Sequence, residues 1–358
     1  IANRMMKEGA RIEGQGSSKA VIEKLDLTEF YIKYIIERKT LNLEKIRDFT
    51  NKDDCFICID NVHGATRGRA QRILGESVNV VYLRIADDYL FGGIAPEPSE
   101  KNMAAVDKKL LESSAKFKLG VIMDPDGDRI RFSDGSMQIP MNYFGAMALH
   151  FLHVHKGVKG VVAKSVGTSN FVNTIAEKHG IAIKETKVGF KNFRPYLLRN
   201  SNERAIVAFE ESDGISGYNH TLEKDALFGL LLAIEMMAFT GKNLSENLTV
   251  IMDEYGYYYP DRSGISVDRT LVGEPLLKKL SGIKESYKPG TAVDIAGSSR
   301  IVKDLITVDG TKIVFDDGSW LMIRPSGTEP KVRFYIEART EEDKKAIFEL
   351  AEKITREA

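Results

Sequence analysis

Cysteine is nearly absent: only Cys55 and Cys58 occur among 358 residues. That excludes a small scaffold stapled by disulfides. The two-residue spacing imitates a redox or zinc pair. However, Cys55-Phe56-Ile57-Cys58-Ile59-Asp60 reads as a strand, and residues three apart on a strand face opposite sides. Reduced, buried thiols in a cytoplasmic protein are the expectation. Net charge is missing too, with 51 basic against 51 acidic side chains. No general field therefore recruits nucleic acid or anionic lipid, and any anion must be caught locally. No run is long and apolar enough to span a membrane. The chain begins at Ile1 without initiator methionine or targeting segment, and reads as a piece of a longer protein.

The chain does carry a repeating alternation of apolar runs and amphipathic stretches. Residues 2–8 read as helix and 10–12 as strand. Gly14–Ser18 reads as a loop whose serines, Ser17 and Ser18, are loop and helix-cap residues. A helix is expected over 27–38. Strands at 55–60, 78–84 and 119–123, with helices to 74 and over 102–113, make a βαβαβ-like unit. Parallel strands flanked by helices are implied by that pattern. After a hairpin over 131–140, a second unit carries helices at 143–153 and 170–179. Its strands lie at 160–164, 183–186 and 205–209, and a long helix runs from 225 to 239. The last part differs. After a helix over 244–252, short alternating runs at 264–269, 299–302, 311–315, 320–324 and 332–338 end in an amphipathic helix over 341–356, an α+β arrangement on an antiparallel sheet. The fold class is thus two consecutive α/β domains with mixed, mainly parallel sheets and a C-terminal α+β domain. The expected segments are 1–30 (linker or remnant), 31–133, 134–248 and 249–358.

The chemistry concentrates in loops at the ends of strands. Asp124-Pro125-Asp126-Gly127-Asp128-Arg129 leaves a buried-strand pattern. Three carboxylates at alternate positions repel unless a cation sits among them, and a hard divalent ion with oxygen ligands, Mg²⁺, answers that. An EF-hand is excluded: counting Asp124 as position 1, position 6 is Arg129 rather than glycine and position 12 is Gly135 rather than glutamate. Arg324-Pro325-Ser326-Gly327-Thr328 gathers a guanidinium, two hydroxyls and a glycine amide, the donor set that phosphate wants. Glu210-Glu211-Ser212-Asp213-Gly214 offers carboxylates and a hydroxyl suited to sugar hydroxyls. Gly189 and Lys191 lie in a turn after a strand. Lys224-Asp225 opens the long helix, where the aspartate is expected from the helix dipole alone. Lys224 reads equally as an acid/base group, a phosphate contact or a solvated lysine. His63 and His220 fall in loops nearby.

In their order, these segments resemble the α-D-phosphohexomutase superfamily of phosphoglucomutases and phosphomannomutases. The resemblance covers essentially the whole chain, as the second, third and fourth domains of a four-domain enzyme. It implies conversion between hexose 1-phosphate and hexose 6-phosphate through a phosphoserine and a bound bisphosphate of the glucose 1,6-bisphosphate type. Phosphoglucomutase activity is the first expectation, although an unaligned loop does not report which hexose is preferred. It further implies Mg²⁺ on Asp124, Asp126 and Asp128, with Arg129 at the transferring group and Lys224 as preferred acid/base. Glu210, Ser212, Gly189 and Lys191 would meet the sugar. Arg324, Ser326, Gly327 and Thr328 would grip the phosphate that does not react. The partner is then a small hexose phosphate, with neither nucleic acid nor membrane, and the oligomeric state is open. Two departures stand out. The family's serine loop of the Thr-Ala-Ser-His-Asn-Pro type is absent, so this chain by itself is expected to be inactive. Phe209 stands where many members carry glycine, with Asp213 after Ser212. Two other readings remain: a sugar-phosphate-binding regulatory protein without catalysis, and a Mg²⁺-dependent phosphotransferase that uses Asp124 as nucleophile.

Overall fold

The computed structural model describes residues 23–268, 273–326 and 330–357. The helix and strand expected over 2–12, the caps Ser17 and Ser18, and the loop residues Gly327 and Thr328 lie outside the described residues.

The first unit is a five-stranded sheet. Strands β1 (Cys55–Asp60), β2 (Val80–Leu83) and β3 (Phe117–Met123) pair in parallel. Strands β4 (Ile130–Ser133) and β5 (Gln138–Ile139) return antiparallel, in the order β2-β1-β3-β4-β5. Four helices belong to it: α1 (Leu27–Arg38), α2 (Leu43–Thr50), α3 (Arg69–Leu74) and α4 (Ala104–Glu112). Helix α1 starts where Asp26 accepts the amides of Thr28 and Glu29, an ordinary N-cap. Cys55 and Cys58 are free and buried. They lie in different apolar clusters on the two faces of the sheet, and burial pushes both thiols up to about 12.

The second unit repeats this order with different residues. Its parallel strands are β6 (Val161–Ser165), β7 (Ile183–Thr186) and β8 (Ala205–Glu210). The antiparallel return is β9 (Gly214–Gly217), in the order β7-β6-β8-β9. Helices α5 (Met141–His150), α6 (Phe171–Lys178), α7 (Arg194–Leu197), α8 (Ala226–Thr240) and α9 (Leu244–Tyr255) cover it. In each unit the third strand, its loop and the antiparallel fourth strand form the same hairpin. The acidic loop of one and the Glu-Glu-Ser loop of the other are therefore topological equivalents. One apolar core runs through both units, and α9 continues across residue 249 with its buried face in that core.

The last domain is an antiparallel sheet. Its strands are β10 (Tyr259–Ser266), β11 (Ala292–Ile295), β12 (Ser298–Ile306), β13 (Thr311–Phe315), β14 (Trp320–Pro325) and β15 (Lys331–Ala338), ordered β10-β15-β14-β13-β12-β11. Helices α10 (Glu274–Leu280), α11 (Ile283–Ser286) and α12 (Glu341–Glu357) belong to it, and it has its own core. It docks on the second unit through buried polar groups. Glu337 of β15 accepts from Ser169 Oγ, from the Asn170 amide at 3.1 Å and from Trp320 Nε1 at 2.9 Å. Lys312 of β13 donates to the Val166 carbonyl at 2.9 Å.

No single helix among the described residues is long and apolar enough to cross a membrane. Helices α8 and α9 have the apolar length only together, and they meet at 74°.

Candidate active site

The acidic loop hangs from the end of β3 and is held from behind. Gly64 packs against Pro125 so closely that a Cβ there would lie 2.3 Å from Pro125 Cα, and the Ala65 amide donates to the Pro125 carbonyl at 2.6 Å. The turn that delivers Gly64 carries Val62 at φ 44° and His63 at φ 55°. A β-branched residue rarely adopts that region, and such strain gathers at functional sites. Asp60, at the root of the turn, is buried and fixed by Arg84 at 2.7 Å. His63 Nδ1 contacts the Ala86 carbonyl at 2.8 Å.

Within the loop, ligand oxygens of Asp124, Asp126 and Asp128 lie within 4.8 Å of one another. Asp124 is fully buried. Its Oδ1 accepts the amides of Asp128 and Arg129 at 3.0 and 2.9 Å, and its Oδ2 accepts Arg129 Nε at 2.6 Å. Lys224 Nζ stands 3.2 Å from Asp128 Oδ2. Desolvation, opposed by Lys224 and reinforced by Asp124, pushes the Asp128 carboxyl up to about 6. Three converging carboxylates, one of them reluctant to ionise, are the donor set of a hard divalent cation.

The structure brings Lys224 to this cluster by a route the sequence conceals. Gly214 leaves the space: a Cβ there would lie 2.7 Å from Lys224 Cδ. Asp225 caps α8 as the dipole argument requires, accepting the amides of Leu227 and Phe228. It also binds Tyr31 at 2.8 Å and His220 Nε2 at 2.7 Å, so His220 serves this cap.

The Glu-Glu-Ser loop lies alongside. Ile130, just after the acidic loop, donates its amide to the Asp213 carbonyl at 2.8 Å, and Arg129 bridges to Gly214. Glu210 accepts the Gly189 amide at 2.6 Å. Burial first, then Glu211, pushes its carboxyl up to about 7. Glu211 accepts Ser165 Oγ at 2.6 Å. Phe209 has a structural explanation. It is fully buried, and its ring occupies the space beside Gly145 of α5, where a Cβ would sit 2.2 Å from ring carbon Cδ2. It belongs to the core side of β8.

In the C-terminal domain, Arg324 Nε donates to Asp309 Oδ2 at 3.0 Å, and the same oxygen accepts the Val188 amide at 3.1 Å. Asp309 thus ties the strand of Arg324 to the Gly189 turn. Ser326 is buried, and its amide donates to the Lys331 carbonyl. Lys191 is exposed on the turn after Gly189.

The three domains meet at a cavity of ≈ 620 Å³, lined by Arg129, Ser212, Arg262, Arg333 and Tyr335, among others. Arg129 comes from the acidic loop, Ser212 from the Glu-Glu-Ser loop, and Arg262 and Arg333 from β10 and β15. Arg324 pairs with Arg333 across the ladder. Sequence reasoning missed Arg262, Lys331 and Arg333, all of which line this space. The signal for the β15 pair was available: Lys331, Arg333 and Tyr335 alternate with the buried Val332, Phe334 and Ile336, which puts all three on the face turned to the cavity.

Comparison with known proteins agrees with this geometry. Residues 29–136 match the phosphoglucomutase/phosphomannomutase alpha/beta/alpha domain II, residues 140–255 match domain III, and residues 277–354 match the C-terminal domain. The chain belongs to the phosphoglucomutase/phosphomannomutase family. A phosphoglucomutase/phosphomannomutase of Thermococcus kodakarensis is 29% identical over 94% of this chain and 67% of its own length. Phosphoglucomutase 1 of Drosophila melanogaster is 27% identical over 90% of this chain and 61% of its own. The fold matches parafusin, a phosphoglucomutase from Paramecium in its open form, with a TM-score of 0.73 at 21% identity, over 94% of this chain and 64% of that one. The chain thus spans roughly two thirds of the length of these relatives. The chemistry of the family is phosphoryl transfer on sugar phosphates.

Proposed function

We propose that the protein to which this chain belongs is a phosphohexomutase that interconverts hexose 1-phosphate and hexose 6-phosphate, with glucose as the first substrate to try. The observation that carries this reading is the three-domain cavity, which Arg129 enters from the acidic loop and Ser212 from the Glu-Glu-Ser loop, while Arg262 and Arg333 line it from the C-terminal domain. A divalent ion bound by Asp124, Asp126 and Asp128 would supply charge neutralisation for a phosphoryl group in transfer.

The chain's own residues supply the rest. Arg129, anchored on Asp124, presents a guanidinium to the cavity. Lys224, its Nζ 3.2 Å from Asp128 Oδ2, is the acid/base candidate beside the acidic loop. Ser212 offers a hydroxyl to the sugar, while Glu210 holds the Gly189 turn that forms part of the same wall. Arg324, with Ser326, Gly327 and Thr328, takes the phosphate that does not react. Asp124 is unsuited to act as a nucleophile, because both its oxygens already hold donors. Closing the cavity around the substrate would exclude water, which would otherwise compete for the phosphoryl group.

The test is conversion of glucose 1-phosphate to glucose 6-phosphate by the full-length protein, with Mg²⁺ and a bisphosphate primer. Mannose and N-acetylglucosamine phosphates run in parallel, since relatives include a phosphomannomutase and a phosphoglucosamine/phosphogalactosamine mutase. Tight binding of these compounds without turnover would favour the regulatory reading. Absence of both binding and turnover for every one of them would refute the assignment.

A further inference from the structure

Asp213 directly follows Ser212 and sits at φ 73°, a region that suits glycine and that other residues enter at a cost. The residue is 1% exposed. Its carboxylate is approached from two other domains. Arg131 of β4 donates to Oδ2 at 3.3 Å, and Arg262 of β10 donates to the same oxygen at 3.4 Å. Its carbonyl holds the Ile130 amide at the foot of the acidic loop. One residue therefore touches the metal-side strand, the sugar loop and the C-terminal domain.

The junction is only half engaged. Asp213 Oδ1 is buried without a partner, and so is Arg131 Nε. An acceptor and a donor are left over on two side chains that already touch, and a bidentate arginine–carboxylate pair would use both. Glycine would relieve the backbone here and would avoid a desolvated charge. A residue that breaks both local rules at the edge of a substrate cavity points to a role beyond the turn. Arg262, the outer member, has a side chain 43% exposed and lines the cavity.

We infer that Asp213 is a positioning residue: through Arg131 and Arg262 it sets the Glu-Glu-Ser loop against the acidic loop and against the C-terminal domain, and so fixes the width of the cavity for a sugar phosphate. This rests on the function proposed above, and the test separates the two. In the full-length protein, D213N removes the charge with little change of shape. D213G relieves the backbone and deletes the side chain, and R262Q cuts only the arm to the C-terminal domain.

Two readouts are needed. In ligand-free protein, hydrogen exchange over Gly214–Gly217 and Tyr259–Ser266 is expected to quicken roughly tenfold in D213G and R262Q. In turnover of glucose 1-phosphate, KM is expected to rise roughly tenfold in all three variants, a typical coupling between linked sites, with Mg²⁺ affinity held within about twofold. If D213G matches the wild type in exchange and in KM, Asp213 is a turn residue only and the inference is overturned. If the wild type turns over no hexose phosphate, the proposed function falls. The exchange arm still judges the junction, and unchanged exchange overturns it.

Discussion

Lys312 offers a sharp test of how the C-terminal domain is held. The residue is 2% exposed. Its ammonium donates to Val166 in the second unit and lies 3.9 Å from the centre of the Trp320 ring. Burial, then repulsion from Lys164, lowers it from 10.5 to about 7, against the attraction of Glu185, Glu337 and Glu211. In the unfolded chain it returns to its ordinary value. Between pH 7 and 10.5 the unfolded state therefore carries a proton that the folded state has released. Stability rises with pH through that window and is lost again as pH falls toward 7. Each pH unit between the two values is worth about 1.4 kcal/mol, so the gain is about 3–5 kcal/mol. The perturbation is Lys312→Met, which keeps the volume and removes the titration. Denaturant unfolding at pH 6.5 and pH 10 is monitored by the fluorescence of Trp320, the only tryptophan in the chain and a reporter inside this domain. Other groups titrate in both proteins, so the difference between wild type and variant isolates Lys312. That difference is expected to grow by about 3–5 kcal/mol in favour of the wild type on going to pH 10. Parallel stability curves would show that the lysine stays charged at this interface and would refute the reasoning.

The acidic loop and its neighbours give three further expectations. Gly64→Ala forces a Cβ into Pro125; overpacking of this kind costs about 1–3 kcal/mol, and isothermal titration should find Mg²⁺ affinity weakened along with the melting temperature. Asp126→Asn removes one charge from an exposed position in the cluster. It should lower Mg²⁺ affinity roughly tenfold or more, the scale seen when metal sites lose a supporting group, while leaving the melting temperature nearly unchanged in metal-free buffer. Glu210→Gln addresses a carboxyl raised from 4.5 to about 7. Between those values the folded protein keeps a proton that the unfolded chain has lost, so wild-type stability should fall by about 2–3 kcal/mol as pH rises from 4.5 to 7, and the variant should lose that slope in the same unfolding series.

The features legible in the sequence are the local ones. The acidic loop declares itself because its three carboxylates are neighbours in the chain, β13 falls where its alternation places it, and β7 falls at the residues read as a strand of the second unit. Helix α2 escaped because charged residues dilute its signal, although Asn42 caps it and Leu43, Ile46, Phe49 and Thr50 form its buried face. Strand β9 escaped because four residues framed by two glycines carry almost no pattern. The buried lysines escaped for a stronger reason: Lys164 finds its carboxylate in Glu185, and Lys312 its acceptor in Val166, 146 positions away. Nothing in the neighbouring residues reveals that a charge will be compensated after folding. The likeness of the two α/β units likewise lies in strand order rather than in residues. The same hairpin carries the acidic cluster in one unit and the Glu-Glu-Ser loop in the other. The two hairpins meet edge to edge through the Ile130 amide on the Asp213 carbonyl and through the Arg129–Gly214 bridge, so backbone contacts join the acidic loop to the Glu-Glu-Ser loop.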